Sequence, residues 1–151
     1  MALTGKVSTE LVIQTTAAKF FNLFMKQLHL VQNVAESVHE ANVHQGDWHS
    51  IGSVKNWTYT VDGKVTTCKE NFEAIDARNK SLTFNLFAGD VGKLYKILKG
   101  HLQVVDKDDG TAVAKWTYEY EKINENVPTP YAYLDFVAKV TKDVDAHLIK
   151  T

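Results

Sequence analysis

Six segments between Ser37 and Ile123 alternate apolar and polar side chains, and a short polar turn cuts each one off from the next. They read SVHEANVHQ, SVKNWTYTV, KVTTCKENFEAI, SLTFNLFA, KLYKILKGHLQVV and TAVAKWTYEYEKI. A period of two is the pattern of strands with one buried face, and turns as tight as DGK or DKDDG join antiparallel neighbours. After VPTP the period becomes helical. Tyr133, Val137, Val140, Val144 and Leu148 fall on one stripe of a helix predicted from about Thr129 to His147 or beyond. A sheet with one apolar face must be covered, and this long helix is the evident cover.

The segment before the six supplies the rest. KVSTELVI, residues 6–13, places Val7, Thr9, Leu11 and Ile13 on one face of a further strand. Thr15 or Thr16 then reads as the N-cap of AAKFFNLFMKQL, where Phe20, Phe21, Phe24 and Leu28 recur at helical spacing. A second short helix is expected over Leu30 to Val34. The order is strand, two helices, six strands, long helix. It predicts an α+β fold: a seven-stranded antiparallel sheet wrapped around the C-terminal helix, with two short helices after the first strand. A chain of 151 residues without repeat or linker suits a single domain, 1–151.

Several function classes are disfavoured. A net charge of −1 gives no basic surplus for holding nucleic acid. The lone Cys68 cannot form an internal disulfide and fits a reducing compartment. MALTGKVSTELVI has no apolar core of signal-peptide length, and no apolar run approaches the roughly 20 residues of a membrane helix, so the expectation is a cytoplasmic chain without stable membrane insertion. GxSxG, a Cys/His signature and an identifiable catalytic acid pair are all missing, so neither an enzyme nor a cofactor is expected. The thinnest opening for acid–base chemistry is Lys69–Glu70, one of which could point inward from its strand.

The stretch HQGDWHSIGSVKNW, His44 to Trp57, invites two other readings. Gly46 and Gly52 resemble the ends of a phosphate loop, but Ser53 rather than lysine follows Gly52, and a strand rather than a helix comes next. A turn between strands is the better reading. His39, His44 and His49 lie five residues apart, so on a strand successive ones point to opposite faces; no metal site is expected.

Alternation also gives the inner face. Ala112, Ala114, Trp116, Tyr118 and Tyr120 share one side, as do Leu82, Phe84 and Leu86, then Leu94, Leu98, Gly100, Leu102 and Val104, then Trp57, Tyr59 and Val61. This face is apolar but rich in phenols. Two readings stay open: a filled core with hydroxyls reaching solvent at the sheet ends, or an apolar pocket with a few convergent polar groups.

Four stretches carry a family resemblance: GDWHSIGSVKNWTYTVDGK, KENFEAIDARNKSLTFNLFAGD, KWTYEYEKINENVPTP and LDFVAKVTKDVDAHL. Together they resemble the plant major latex proteins, within the birch-pollen-allergen and START-like superfamily, over nearly the whole chain. The resemblance implies a helix-grip fold with a large internal cavity for amphipathic or apolar small molecules, and a link to plant defence and stress. It implies a carrier or reservoir for a lysophospholipid, fatty acid or sterol-like molecule, monomeric or weakly dimeric. The rival readings are a protein-interaction module in defence signalling and a weak cavity enzyme.

On that fold the expected cavity wall comes from both layers. The helices contribute Phe24, Val31, Tyr133, Phe136, Val137, Val140 and Val144. The strands contribute Trp57, Tyr59, Leu82, Phe84, Leu98, Leu102, Ala114, Trp116 and Tyr118. His147 borders the stripe near the helix C-terminus, where the dipole favours a cation; it is read either as a head-group anchor or, in preference, as an amphipathic residue closing the stripe beside Leu148, and Lys69 and Lys96 are lesser anchor candidates.

Overall fold

The computed structural model describes residues 3–150; residues 1, 2 and 151 of the expected 1–151 domain lie outside them. The elements run β1 (Thr4–Ile13), α1 (Ala17–Lys26), a 3-10 turn (Leu28–Leu30), α2 (Val31–Val34), β2 (Val38–Gln45), β3 (Val54–Val61), β4 (Lys64–Asp76), β5 (Ser81–Phe87), a second 3-10 turn (Val91–Lys93), β6 (Tyr95–Asp106), β7 (Ala112–Lys122) and α3 (Tyr131–Ile149). All seven strands form one antiparallel sheet in the order β1-β7-β6-β5-β4-β3-β2. β2 to β7 follow one another as hairpins, and β1 closes the far edge against β7. The α+β architecture expected from the order of periods is the one observed.

Alternation places the faces correctly along most strands. β3 and β5 bury every second residue without a break, which turns Trp57, Tyr59 and Val61, and Leu82, Phe84 and Leu86, toward the helices. Register shifts interrupt β2, β4 and β6, and such bulges bend a strand and increase its twist. One of them overturns an expectation. Leu94 was expected on the inner face with Leu98, but it is 42% exposed. The 3-10 turn delays β6 until Tyr95, and the shift between Tyr95 and Ile97 sends Tyr95 inward and Ile97 outward. Gly100 sits in the middle of β6 opposite Phe84, and a Cβ there would lie 2.2 Å from the Phe84 ring, so glycine lets the ring lie across the strand.

The helices are fastened by carboxylates. Thr16 Oγ1 accepts the Lys19 amide as the N-cap of α1, and Asp106 Oδ1 accepts the Ala17 amide at 2.9 Å. From α3, Asp145 takes the Gln14 amide on Oδ2 at 2.9 Å and the Thr15 amide on Oδ1 at 3.0 Å. Asp143 Oδ2 accepts the Glu36 amide at 3.0 Å. The acids of the KDVDAHL stretch therefore tie α3 to both ends of the helical V formed by α1 and α2. Trp116 Nε1 adds a bond to Thr141 Oγ1 at 2.9 Å.

Replacing Asp145 by Ala strands the half-buried Gln14 and buried Thr15 amides. The expected loss is about 2 kcal/mol of unfolding free energy, read from the midpoint of urea unfolding; an unchanged midpoint would show that the tether is idle.

Candidate functional site

A space of about 80 Å³ lies between the sheet and α3. Its wall is almost wholly apolar and aromatic. α1, α2 and the turn between them contribute Phe24, Leu28 and Val31; β2 and β3 contribute Val38, Trp57 and Tyr59. Cys68, Glu70 and Phe72 come from β4, Leu82, Phe84 and Leu86 from β5, and Trp116 and Tyr118 from β7. Tyr133, Phe136, Val137 and Val140 of α3 close it.

Of the expected wall residues, Phe24, Val31, Trp57, Tyr59, Leu82, Phe84, Trp116, Tyr118, Tyr133, Phe136, Val137 and Val140 meet at this space. Leu98, Leu102, Ala114 and Val144 are as deeply buried but do not reach it. Leu98 and Leu102 flank Gly100, over which the Phe84 ring lies, with Trp116 and Tyr118 set edge-on to that ring. These large rings make the wall and the shorter side chains of β6 lie behind it. Val144 and His147 lie beyond Val140, the last α3 residue at the space. Seven residues of helix are about 10 Å, which carries half-buried His147 well past it. Lys69 and Lys96 point away as well, to Asn56 Oδ1 at 3.1 Å and Glu121 Oε2 at 3.7 Å on the outer face.

Leu28, Val38, Cys68, Glu70, Phe72 and Leu86 were not among the expected wall residues. The signal for Glu70 was available: it is in phase with Cys68 and Phe72 on β4, so it points inward and Lys69 points outward. Its partner is in phase as well, on the face of β3 that carries Trp57, Tyr59 and Val61. Lys55, directly opposite on β3, has no exposed surface. Its Nζ lies 3.6 Å from Glu70 Oε1, donates to the Trp48 carbonyl at 3.2 Å and sits 3.5 Å from the centre of the Phe72 ring. Trp57 Nε1 donates to the same Glu70 Oε1 at 2.9 Å. Burial raises the Glu70 pKa and lowers that of Lys55, and each partner's charge opposes that push. Whichever of the two holds the proton, the pair carries no net charge.

The remaining polar groups are phenols and a thiol. Tyr59 donates to Cys68 Sγ at 3.7 Å, and its oxygen lies 2.7 Å from the Tyr133 hydroxyl, which must then be the donor between the two. Burial pushes the Tyr59, Tyr118 and Tyr133 hydroxyls above the usual phenol range and the Cys68 thiol up to about 12. The thiol is thereby neutral and poorly nucleophilic, and the three phenols are neutral.

Tyr133 and Phe136 also face outward. Tyr133 borders a groove of about 610 Å³ under the β3–β4 turn and the second 3-10 turn. Phe136 borders one of about 350 Å³ between that β3–β4 turn and α3. These two rings stand between the apolar space and the grooves.

In the loop from Gly46 to Ser53 an acid occupies the amides that a phosphate loop would offer its ligand. Asp47 already takes its amides: Oδ1 accepts from His49 at 3.0 Å and Ser50 at 2.7 Å, and Oδ2 from the Ser50 hydroxyl at 2.7 Å. Those bonds, that of the Ser50 hydroxyl first, hold the Asp47 carboxyl down at about 2. Among the described residues no group of three His, Cys, Asp or Glu is placed to hold a metal ion, and no helix is long and apolar enough to cross a membrane.

Comparisons with known proteins agree with this geometry. The pathogenesis-related protein Bet v 1 family model matches residues 2–151. MLP-like protein 43 of Arabidopsis thaliana is 37% identical over 150 residues, which cover 98% of this chain and 95% of that protein. MLP-like protein 34 of the same plant is 36% identical over 97% of this chain, which spans 47% of that longer protein. The crystal structure of ginseng major latex-like protein 151 from Panax ginseng superposes with a TM-score of 0.91 at 34% identity, covering 97% of this chain and 98% of that one.

Two measurements test the electrostatics. Asp47 has a lower pKa folded than its ordinary 3.8, so its stabilising effect is complete above about pH 5 and fades as the pH falls toward about 2. The gap in stability between the wild type and Asp47→Asn should stay constant at neutral pH and narrow over that acid window; a gap that persists at pH 2 refutes it. Cys68, with its pKa near 12, should be alkylated by N-ethylmaleimide at pH 8 on the order of a thousandfold more slowly than in the urea-unfolded chain.

Proposed function

Because this chain belongs to the pathogenesis-related protein Bet v 1 family, a hydrophobic-ligand-binding fold, we propose that it is a carrier or reservoir for an amphipathic small molecule. The observation that carries this reading is the apolar, aromatic space between the sheet and α3, with Tyr133 and Phe136 standing between it and the neighbouring grooves. An alkyl or polycyclic body taken in there gains roughly 25 cal/mol for each Å² removed from water.

The space of about 80 Å³ is smaller than the 300–1,000 Å³ or so of a typical ligand site. Loading therefore opens the fold. The Tyr59–Tyr133 hydroxyl bond and the rings around Phe136 separate, and the interior joins the grooves outside. Lysophospholipids, fatty acids and sterol-like molecules all suit such a site. A charged head group would stay in water at the mouth, where Lys64, Lys93 and Lys139 border the grooves together with Asp62, Asp90 and Asp135. Plant defence or stress, a cytoplasmic location, a monomer or weak homodimer, and binding rather than turnover by a single domain over 1–151 complete the reading.

Native mass spectrometry of the gently purified protein, with release and sequencing of any bound species, tests it. A stoichiometric amphipathic molecule is expected. A bare mass, together with failure to take up a neutral fluorescent lipid probe, would overturn the reading and favour an interaction surface instead.

A further inference from the structure

The sheet has two open edges, β1 and β2, and the fold treats them differently. β2 is broken by two register shifts, and its Ala41 amide is taken by Gln32 Oε1 of α2 at 2.9 Å. Bulges and a covering element are ordinary ways of closing an edge to other strands. β1 has neither. Its ten residues pair with β7 without a shift. The Leu3 carbonyl accepts the Lys122 amide, and this fixes the phase. Odd-numbered residues of β1 bond to β7, so the amides and carbonyls of Thr4, Lys6, Ser8, Glu10 and Val12 point out from the free edge. No hydrogen bond among the described residues caps them, and all five residues are exposed.

We propose that this edge docks a second copy of the chain, β1 against β1 antiparallel about a two-fold axis at Ser8, so that one sheet runs through both molecules. The inference goes beyond the carrier reading and does not depend on it. Charge selects both the partner and the register. In a two-fold pair centred on Ser8, Lys6 of each copy lies opposite Glu10 of the other. Centring on Lys6 or Glu10 sets like charges face to face, and centring on Val7 or Thr9 leaves both charges opposite uncharged residues. Within the chain Lys6 already faces Glu119 and Glu10 faces Lys115 on β7. The sign of charge therefore alternates from Glu119 to Lys6, across the axis to Glu10, and on to Lys115 of the second copy. A lysine on an open edge ordinarily deters a foreign strand; with Glu10 on the same face, this strand is its own complement. On the other face Leu11 meets Gly5 of the second copy, over which that copy's Tyr120 ring lies. The contact is one strand wide, smaller than the roughly 1,200–2,000 Å² of a stable complex, so the dimer is weak and depends on concentration.

Analytical ultracentrifugation of the whole chain from about 10 μM to about 1 mM tests the pairing. The wild type should move toward twice the mass of one chain over that range. Lys6→Glu alone sets acid against acid across the axis, and Glu10→Lys alone sets base against base. Each should weaken association about tenfold or more. An equimolar mixture of the two single variants should dimerise again, because each supplies the charge that the other lacks. The double variant Lys6→Glu/Glu10→Lys should recover the wild-type association. Damage to the monomer predicts the opposite: Lys6→Glu meets Glu119 and Glu10→Lys meets Lys115 within the chain, so the double variant carries both defects. A wild type that stays monomeric throughout overturns the proposal. So do single variants that associate as tightly as the wild type, or a mixture of them that stays monomeric. None of these outcomes bears on the carrier reading, which native mass spectrometry decides separately.

Discussion

The Asp145 carboxylate fixes where α3 lies. Charge-assisted bonds to the Gln14 and Thr15 amides pin the C-terminal half of the helix to the junction of β1 and α1. Asp143 and Thr141 add the Glu36 amide and the Trp116 indole nearby. The N-terminal half has softer fastenings: a phenol pair, Tyr59 and Tyr133, and the tilted stack of Tyr59 on Phe136. The cavity lies under this second half, between Tyr133 and Val140. A helix clamped at one end and lightly held at the other is hinged by construction. The contacts that cost least to break lie over the space.

The same region explains why the interior is not simply filled. Phe24, Phe84, Trp116 and Tyr118 meet edge-on or nearly so, a geometry that suits aromatic quadrupoles but leaves gaps between rings. Gly100 lets Phe84 lie flat on the sheet instead of standing into the space. Lys55 and Glu70 stiffen the wall further. Removing either partner leaves a buried charge alone, so their geometry is held strictly. Through the Trp48 carbonyl, that pair also joins the β2–β3 loop to the cavity wall.

Much of this was legible in the sequence. The period of two set the number of strands and most of their faces, because each β3 and β5 residue pairs without a bulge. It failed at Leu94, where one extra residue in β6 reversed the phase. The stripe on α3 was correct as burial but silent on what lies under each turn, so Val144 and His147 were placed on a wall that ends at Val140. The inward side of Glu70 was readable from its neighbours, and so was that of Lys55, in phase with Trp57 and Tyr59; what no local pattern gives is that the two lie opposite each other.

The pairing of β1 with β7 has a consequence for how the chain is made. Thr4 lies opposite Glu121 and Ile13 opposite Ala112, so the first strand has no neighbour until the seventh has been synthesised. The hairpins from β2 to β7 close in sequence as they leave the ribosome, but their concave side stays uncovered until α3 follows. Long-range closure of this kind is slow, and an open apolar trough is prone to aggregate while it waits. The nascent protein therefore passes through a stage in which its future binding surface is a hazard, and the last helix to emerge turns that hazard into an interior.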